Sequence, residues 1–467
     1  MTDAASPPSR EALDALERDV SGTIIVPSDE AYDDARRVWN GLIDRHPAAI
    51  VRAGGVADIA PTIRLARKLG LPLAIRGGGH NVAGNGTVDG GIVLDLGGLN
   101  SVEVDADARE VRVAPGATLG DVDRATEPHA LAVPIGVISG TGLTGLTLGG
   151  GVGWLTRAYG LSVDSLLHAE LVTATGDLVR ASASENDELF WGLKGGGGNF
   201  GVVTSLTFRA YALGPNQFTG SFIYAADQWI TALRAYAAWT ADLPDPLTSI
   251  LTFMVPPPAW DLGTEPLLLL GFSWASQDRA EGERLVERLR TAAPPTAAIL
   301  DPVSWTAWQS AADELFPKGV RAYWKNTSFD RLDEATIRML VQHGREQTWR
   351  GTAFDIHHMG GAFGRVPEDD TPFPNRSAGY WLNIYGSWSD AADDGPRTAW
   401  IRSFAAAMEP YASGGQYVNF LGQEGGRNGR DAALAVYGPA KLQRLVALKR
   451  RFDPANIFRL NHNIPPG

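Results

Sequence analysis

The sequence predicts an α+β fold divided into more than one domain. Three observations carry this. Short strand-like runs alternate with short helices instead of forming a long series of βαβ units. Turn signals join strands into hairpins at two places. The chain has 467 residues, more than one ordinary core accommodates. Residues 48–52 read as a short buried strand. Residues 59–69 read as a helix, with Pro61 tolerated in its first turn and Gly70 as its stop. Residues 73–75 form a strand that runs into Gly77-Gly78-Gly79, and residues 92–95 form another. Val102-Glu103-Val104 and Val111-Arg112-Val113 alternate with period two around Asp105-Ala106-Asp107-Ala108, which predicts a hairpin. Thr118 is placed to cap a helix over 118–126. Residues 171–173 turn back at Thr175-Gly176-Asp177, followed by a helix over 186–193 and a strand over 202–208. Past Gly214-Pro215 the character changes, and strands such as 267–272 and 380–385 alternate with helices such as 279–291. Eleven of the 14 tryptophans lie in 211–412, so that stretch carries the large apolar surfaces, mostly a sheet packed on helices with some pocket lining. The tail holds a helix over 439–452, then Asp453-Pro454.

Composition excludes several function classes. The net charge is −12 and no run of Lys or Arg offsets it, which argues against nucleic acid and anionic membrane surfaces as partners. No stretch approaches the roughly 20 apolar residues of a bilayer span. The first eight residues, Met1 to Pro8, lack the basic and apolar halves of a signal peptide, so the expected location is cytoplasmic. There is no cysteine, which removes disulfides, thiolate catalysis and cysteine metal sites together. Of the eight histidines only His357 and His358 are close in sequence, and strand neighbours point to opposite faces. That predicts one buried and one exposed histidine and no metal site. No G-x-S-x-G elbow supports a hydrolase.

Glycine is clustered, at 77–79, 149–151 and 195–198, where tight turns around a ligand are expected. Gly140-Thr141-Gly142-Leu143-Thr144-Gly145 fits G-x-G-x-x-G on paper, but a dinucleotide fold needs a helix opening there. Further glycines follow at 149–151 and 153, each costing about 1 kcal/mol in a helix relative to alanine. The expectation is therefore a loop whose backbone N–H groups approach an anion or a planar ring. Arg76-Gly77-Gly78-Gly79-His80-Asn81 offers a second such loop with an imidazole beside it. The two loops predict a bound cofactor without naming it.

The chain resembles the berberine-bridge-enzyme-like FAD-linked oxidases of the vanillyl-alcohol-oxidase superfamily. The resemblance lies in Arg76 to Asn81, Asp95 to Asn100, 134–153, 189–204, Tyr417-Val418-Asn419 and 453–466, in the family's order. It implies a PCMH-type FAD-binding domain made from 1–210 and 413–467, with a substrate domain inserted at 211–412, an antiparallel sheet covered by helices. It implies an FAD bonded through a ring nitrogen of His80 to the flavin 8α-methyl. Many members add a link from a cysteine that would fall at about Ile138, so here the attachment is expected to be single. The cofactor residues implied are Arg76, Gly77, Gly78, Gly79, His80 and Asn81; Gly136, Val137, Thr141, Gly142, Gly145, Leu146, Gly150, Gly151 and Gly153; and Val203, Tyr417, Asn419, Asn461 and Asn463. His462 departs from the family's usual glutamine and has no assigned role.

For catalysis the resemblance offers candidates rather than one residue. Plant-like members have a second tyrosine where this chain has Phe420. Tyr417, sharing a strand face with Asn419, is either a base or a hydrogen-bonding group near the flavin. Asp355 and His357 share one strand face, and Trp381, Asn383 and Tyr385 share another. Asp355, His357 and Tyr385 are candidate bases, and Asn383 is a candidate for orienting substrate. The implied activity is oxidation of a small secondary metabolite, such as a polyketide, an alkaloid or a sugar-bearing compound, with dioxygen reduced to hydrogen peroxide. The alternatives are a covalent-flavin dehydrogenase using another acceptor and a non-redox flavin carrier.

Overall fold

The structure is a computed structural model. It describes residues 8–214, 217–300, 302–347, 349–422 and 429–467. All but the last residue of the N-terminal stretch read for a signal peptide, and Pro215 of the expected boundary, lie outside the described residues.

A first sheet contains β1 (Thr23–Ile25), β2 (Ala49–Arg52), β3 (Leu73–Arg76) and β4 (Ile92–Asp95) in the order β1-β2-β4-β3. β2 and β3 both run parallel to β4. A parallel pair needs a crossover, and the helix Ile59–Leu69 supplies it. Ile59, Ile63 and Ala66 bury against Val51, Leu73 and Leu94. Gly70 ends the helix with φ 63, a left-handed conformation that favours glycine.

The second sheet holds β5 (Val102–Asp105) and β6 (Glu110–Val113). After the short β7 (Leu131–Ala132) come its other strands, β8 (Leu166–Val172), β9 (Leu178–Ser182) and β10 (Val202–Arg209), in the order β5-β6-β10-β8-β9. Both expected hairpins are present, as β5–β6 and β8–β9. β7 pairs with β11 (Tyr211–Ala212). Thr118 caps the helix Leu119–Thr126 in a reciprocal box with Asp121. The C-terminal helix Gly429–Phe452 packs Leu442, Leu445 and Leu448 into the same core as Leu189, Phe200 and Phe208. It is broken at Gly438 (φ 67), so a separate helix begins at Pro439, where a missing N–H costs nothing.

The third sheet is antiparallel throughout: β12 (Phe218–Tyr224), β13 (Leu247–Met254), β14 (Leu267–Trp274), β15 (Ala297–Ile299), β16 (Arg321–Phe329), β17 (Thr352–His358) and β18 (Tyr380–Trp388), ordered β15-β12-β14-β13-β17-β18-β16. On one face Phe253, Phe354, Ile356, Leu382 and Ile384 pack under helices that contribute Trp229, Tyr236, Leu285, Leu340 and Phe404. The period of two then sends the alternate residues to the other face. Asp355 of β17 pairs with Asn383 of β18, and Asn383 pairs with Asn326 of β16, so three polar residues lie in one row across the sheet.

Three expectations are corrected here. Residues Leu143–Gly149 form a short helix, because Leu143 and Leu148 bury fully enough to offset its glycines. Val418–Phe420 is a 3₁₀ turn and not a strand. His357 and His358 do point to opposite faces, but both are buried, since helices cover the far side and His358 meets the Arg157 guanidinium there. Among the described residues no helix is long and apolar enough to cross a membrane.

Candidate cofactor and substrate site

A deep cleft separates the first two sheets from the polar face of the third. Its empty space, open mouth included, is about 1790 Å³. Its floor is backbone. A Cβ on Gly78 would lie 2.5 Å from the Gly142 nitrogen, and one on Gly142 would lie 2.5 Å from the Gly78 nitrogen. The two glycine loops thus cross in direct contact, which side chains at either position would prevent. Gly77, Gly79, Asn81, Gly136, Val137, Thr141, Gly145, Leu146 and Val203 line the cleft with them, as do Tyr417, Asn419 and Asn461.

Unsatisfied groups show what the cleft takes. Arg76 donates from Nη2 to Asp95 at 2.8 Å, while its buried Nη1 has no partner. Thr144 Oγ1 is also buried and unpaired, and Asn461 donates to the Gly198 carbonyl while its Oδ1 stays free. A buried unpaired donor on a cation calls for an anion, and the surrounding loops bring the backbone close enough to meet one. This set fits the diphosphate and polar ring edge of FAD. His80 opens onto the same space, its ring stacked on Trp39 at 4.5 Å and 18°. Burial lowers its pKa to about 4, partly opposed by Asp313, so the imidazole is neutral near pH 7. Ile138 borders the same cleft.

Four expected cofactor residues do not line the cleft. A Cβ on Gly150 would meet Phe373 at 2.5 Å, one on Gly151 the Ser162 hydroxyl at 2.1 Å, and one on Gly153 the Ile135 carbonyl at 1.8 Å. These glycines let the chain turn tightly behind the floor. Asn463 likewise lies off the lining, its Oδ1 buried without a partner.

Tyr417 is fixed on all sides. Its hydroxyl accepts the Gly151 N–H at 2.9 Å and an Asn419 Nδ2–H at 2.8 Å, and its backbone bonds to Asn326. The expected proximity to Asn419 therefore holds through the 3₁₀ turn rather than a shared strand face. Burial pushes the Tyr417 pKa up to about 12, so the phenol stays protonated. On the opposite wall Asp355, His357 and Asn383 face the cleft beside Phe316, Trp324 and Phe420. Asp355 Oδ1 lies 3.1 Å from His357 Nε2 without meeting hydrogen-bond geometry. Tyr385 sits behind them, packed on Phe316 and Trp324. Burial raises its pKa well above the usual phenol range, and the charge of Asp355 beside it adds to this. Tyr385 is thereby set back from the cleft while its two fellow candidates border it.

Residues 47–182 match the family model described as FAD binding domain, and 416–465 match berberine and berberine like. The chain is 31% identical over 459 residues to the (R)-6-hydroxynicotine oxidase of Paenarthrobacter nicotinovorans, covering 96% of this chain and 97% of that one. This chain belongs to the berberine-bridge-enzyme-like family of FAD-linked oxidases. The crystal structure of 6-hydroxy-D-nicotine oxidase from Arthrobacter nicotinovorans superposes with a TM-score of 0.84 at 28% identity, covering 96% of this chain and 98% of that chain. The glucooligosaccharide oxidase of Acremonium strictum, whose FAD is 6-S-cysteinyl and 8α-N1-histidyl, shares the fold at a TM-score of 0.84 and 21% identity, with 98% and 99% covered.

In this berberine-bridge-enzyme-like oxidoreductase, sequence reading missed several residues of the cleft. Gly197 and Gly198 were signalled by their glycine cluster, but Phe316 and Trp324 carry no signal that separates a pocket wall from a core. His462 borders the cleft too, with its Nε2 unpaired, and burial holds its pKa at about 4.

The loop beside His80 is held from the substrate sheet's side. Gln309 donates to the Gly136 carbonyl at 3.1 Å, and Asp313 accepts from the Ser139 N–H at 2.8 Å. Asp123 in turn accepts from Trp305 Nε1 at 3.0 Å and Gln309 Nε2 at 3.4 Å. Burial pushes the Asp123 pKa up to about 7. Its folded-state pKa lies above the unfolded value, so the protein binds the extra proton when folded. The resulting stability is complete below about pH 4 and is lost as pH rises through about 7. Asp123→Asn is expected to flatten the decline in melting temperature between pH 5 and pH 8, read by thermal melts across that range. An unchanged slope would show that Asp123 is ionised throughout.

Proposed function

We propose that this protein is an oxidase carrying a single covalent FAD on His80, which oxidises a small organic substrate and reduces dioxygen to hydrogen peroxide. When bound, FAD supplies an acceptor for hydride from a substrate C–H and passes the electrons to dioxygen. The single observation that carries the reading is Asp355, a carboxylate bordering the cleft whose Oδ1 is buried and has no hydrogen-bond partner. A substrate O–H or N–H placed there meets the acceptor it lacks, and Asp355 takes that proton as the neighbouring C–H is oxidised. His357, with Nε2 3.1 Å from that oxygen, borders the same space, and Asn383 on the paired strand fixes the polar group's orientation. Phe316, Trp324 and Phe420 keep water from the reacting carbon.

The link at His80 is supported by its neutral, ring-stacked imidazole at the cleft and by the histidyl flavin of the Acremonium strictum relative. Single attachment is supported by the complete lack of cysteine, with Ile138 in the adjacent loop.

Asp355→Asn is expected to lower the rate of anaerobic flavin reduction by about 10²–10⁴-fold, the usual contribution of a positioned base. Tyr417→Phe is expected to lower it by less than about tenfold, since that hydroxyl accepts two N–H bonds and stays protonated, so it is no base. Stopped-flow reduction separates the two, and equal losses would reassign the base. Readmitting air to the reduced protein tests the oxidase reading, with peroxide expected in proportion to flavin. Slow reoxidation without peroxide would make the protein a dehydrogenase.

A further inference from the structure

A second cavity opens behind His80. His80, Gly79, Ile138 and Phe316 line it as well as the cleft, so they form the partition between the two. Its space is about 1040 Å³, open mouth included, and its walls carry the carboxylates of Asp34, Asp95 and Asp313. Two of these are neutralised by ion pairs. Asp34 lies 2.9 Å from Arg37, and Asp95 lies 2.8 Å from Arg76 and 3.8 Å from Arg52. Asp313 makes no ion pair among the described residues and accepts instead from the Ser139 N–H, at 2.8 Å, and the Ser139 hydroxyl. Lys318, which also lines the cavity, is exposed to solvent.

Asp313 opens a 3₁₀ turn, Asp313–Leu315, in the segment that joins the helix Trp305–Ser310 to β16. The same segment grips the other neighbour of His80. Trp39 Nε1 donates to the Phe316 carbonyl at 2.9 Å, and the Gly319 N–H donates to the Trp39 carbonyl at 2.8 Å. Trp39 is the ring stacked on His80. One stretch of chain leading into the third sheet thereby fixes both the stacking ring and a carboxylate beside the imidazole.

A bond from a ring nitrogen to the flavin 8α carbon leaves positive charge on the ring until the remaining N–H proton departs. Burial lowers the His80 pKa to about 4, against a hydrogen bond to its own backbone and the charge of Asp313. The same burial opposes the positive ring that bonding creates. A carboxylate without a cation of its own offsets that cost, because attraction between charges is strong where water is sparse. The open mouth of the second cavity gives the proton a way to solvent.

We infer, on the covalent reading of His80 above, that Asp313 is a positioning residue for flavin attachment, its charge stabilising the imidazolium that forms as the ring nitrogen bonds to the 8α carbon. A methyl C–H and the ring N–H are each given up as a proton, and one C–N bond forms. The electron pair of the C–H bond stays with the flavin until dioxygen, the oxidant of the proposed function, takes it to give hydrogen peroxide.

The test uses the full chain produced without flavin and then given FAD, with covalent flavin read over time as fluorescence of the acid-denatured protein. In Asp313→Asn the limiting rate of attachment is expected to fall by about tenfold or more, while half-saturation by FAD stays within about twofold of wild type. Asparagine still accepts the Ser139 N–H, so that loss reports the charge and not the loop. Asp313→Glu keeps the charge and is expected to retain at least about a third of the wild-type rate. Formate, which can enter through the open mouth, is expected to speed attachment in Asp313→Ala by about threefold or more. Should the asparagine variant bind no FAD, the glutamate and formate arms decide. Attachment in Asp313→Asn at the wild-type rate, or equal losses in the Asn and Glu variants with no effect of formate, would overturn the inference and leave the bond to His80 standing. A wild-type chain that binds FAD and never attaches it would sink the covalent reading itself, and the inference with it.

Discussion

Acid-precipitated wild-type protein is expected to give a yellow pellet, and His80→Ala a colourless pellet with the flavin left in the supernatant. The physical case starts from the ring itself. Burial holds the imidazole neutral near pH 7, so a ring nitrogen keeps the lone pair that bond formation needs. Stacking on Trp39 at 4.5 Å fixes the plane of the ring at the edge of the cleft. No thiol exists anywhere in the chain to substitute for it. The change should therefore be complete: covalent flavin, measured by absorbance of the denatured pellet, falls from near stoichiometric to background. Turnover should fall on the order of tenfold to a hundredfold even with excess FAD supplied, because a cofactor held by contacts alone sits less accurately. Trp39→Ala is expected to leave the bond possible but slow, giving a partly loaded protein. A yellow pellet from His80→Ala would show that another residue carries the link.

The glycine clusters made the floor of the cleft legible in the sequence. Gly78 falls in the first cluster and Gly142 in the G-x-G-x-x-G stretch, and both are needed because the two backbones touch. The same reasoning over-extended at Gly150, Gly151 and Gly153, since a glycine required by a tight turn leaves the same trace as one required by a ligand. It also read Leu143–Gly149 as a loop, because local propensity does not record the burial of Leu143 and Leu148 by distant strands. Period-two alternation placed Asp355 and His357 on one face and His358 on the other, but not the layer of helices that buries His358. Trp324 and Phe316 were out of reach for a different reason. The rings that wall a pocket are the same rings that fill a core; the register of β16 against β18 places Trp324, and Phe316 lies in the loop before that strand.

Lys449→Met is expected to be among the most destabilising single changes in the protein. Lys449 and Asp453 are wholly excluded from solvent and lie 2.7 Å apart. All three ammonium protons are used: besides Asp453, Nζ donates to the Asn199 and Phe458 carbonyls, each at 2.9 Å. Asp453 also accepts from the backbone of Ile457 and Phe458 at 2.8 Å. Through Asn199, whose Oδ1 accepts from Ile464 N–H at 3.0 Å, the pair ties the C-terminal strap to the glycine loop bordering the cleft. Methionine preserves much of the shape but leaves a buried carboxylate and two carbonyls short of donors. Breaking a buried pair in this way costs about 3–5 kcal/mol. A melting temperature lower by on the order of 5–10 °C follows for a domain of this size. Replacing both partners by Met and Leu should not restore full stability, because Asp453 also satisfies two backbone N–H groups that leucine cannot. The control is Arg284→Ala, which removes an exposed helical pair with Glu281 and should leave the melting temperature essentially unchanged. If Lys449→Met melts within 2 °C of wild type, the strap is held by its apolar contacts alone. The absorbance spectrum of the bound flavin separates the two cases, since a loosened strap lets Gly197 and Gly198 shift in the cleft while an intact one does not.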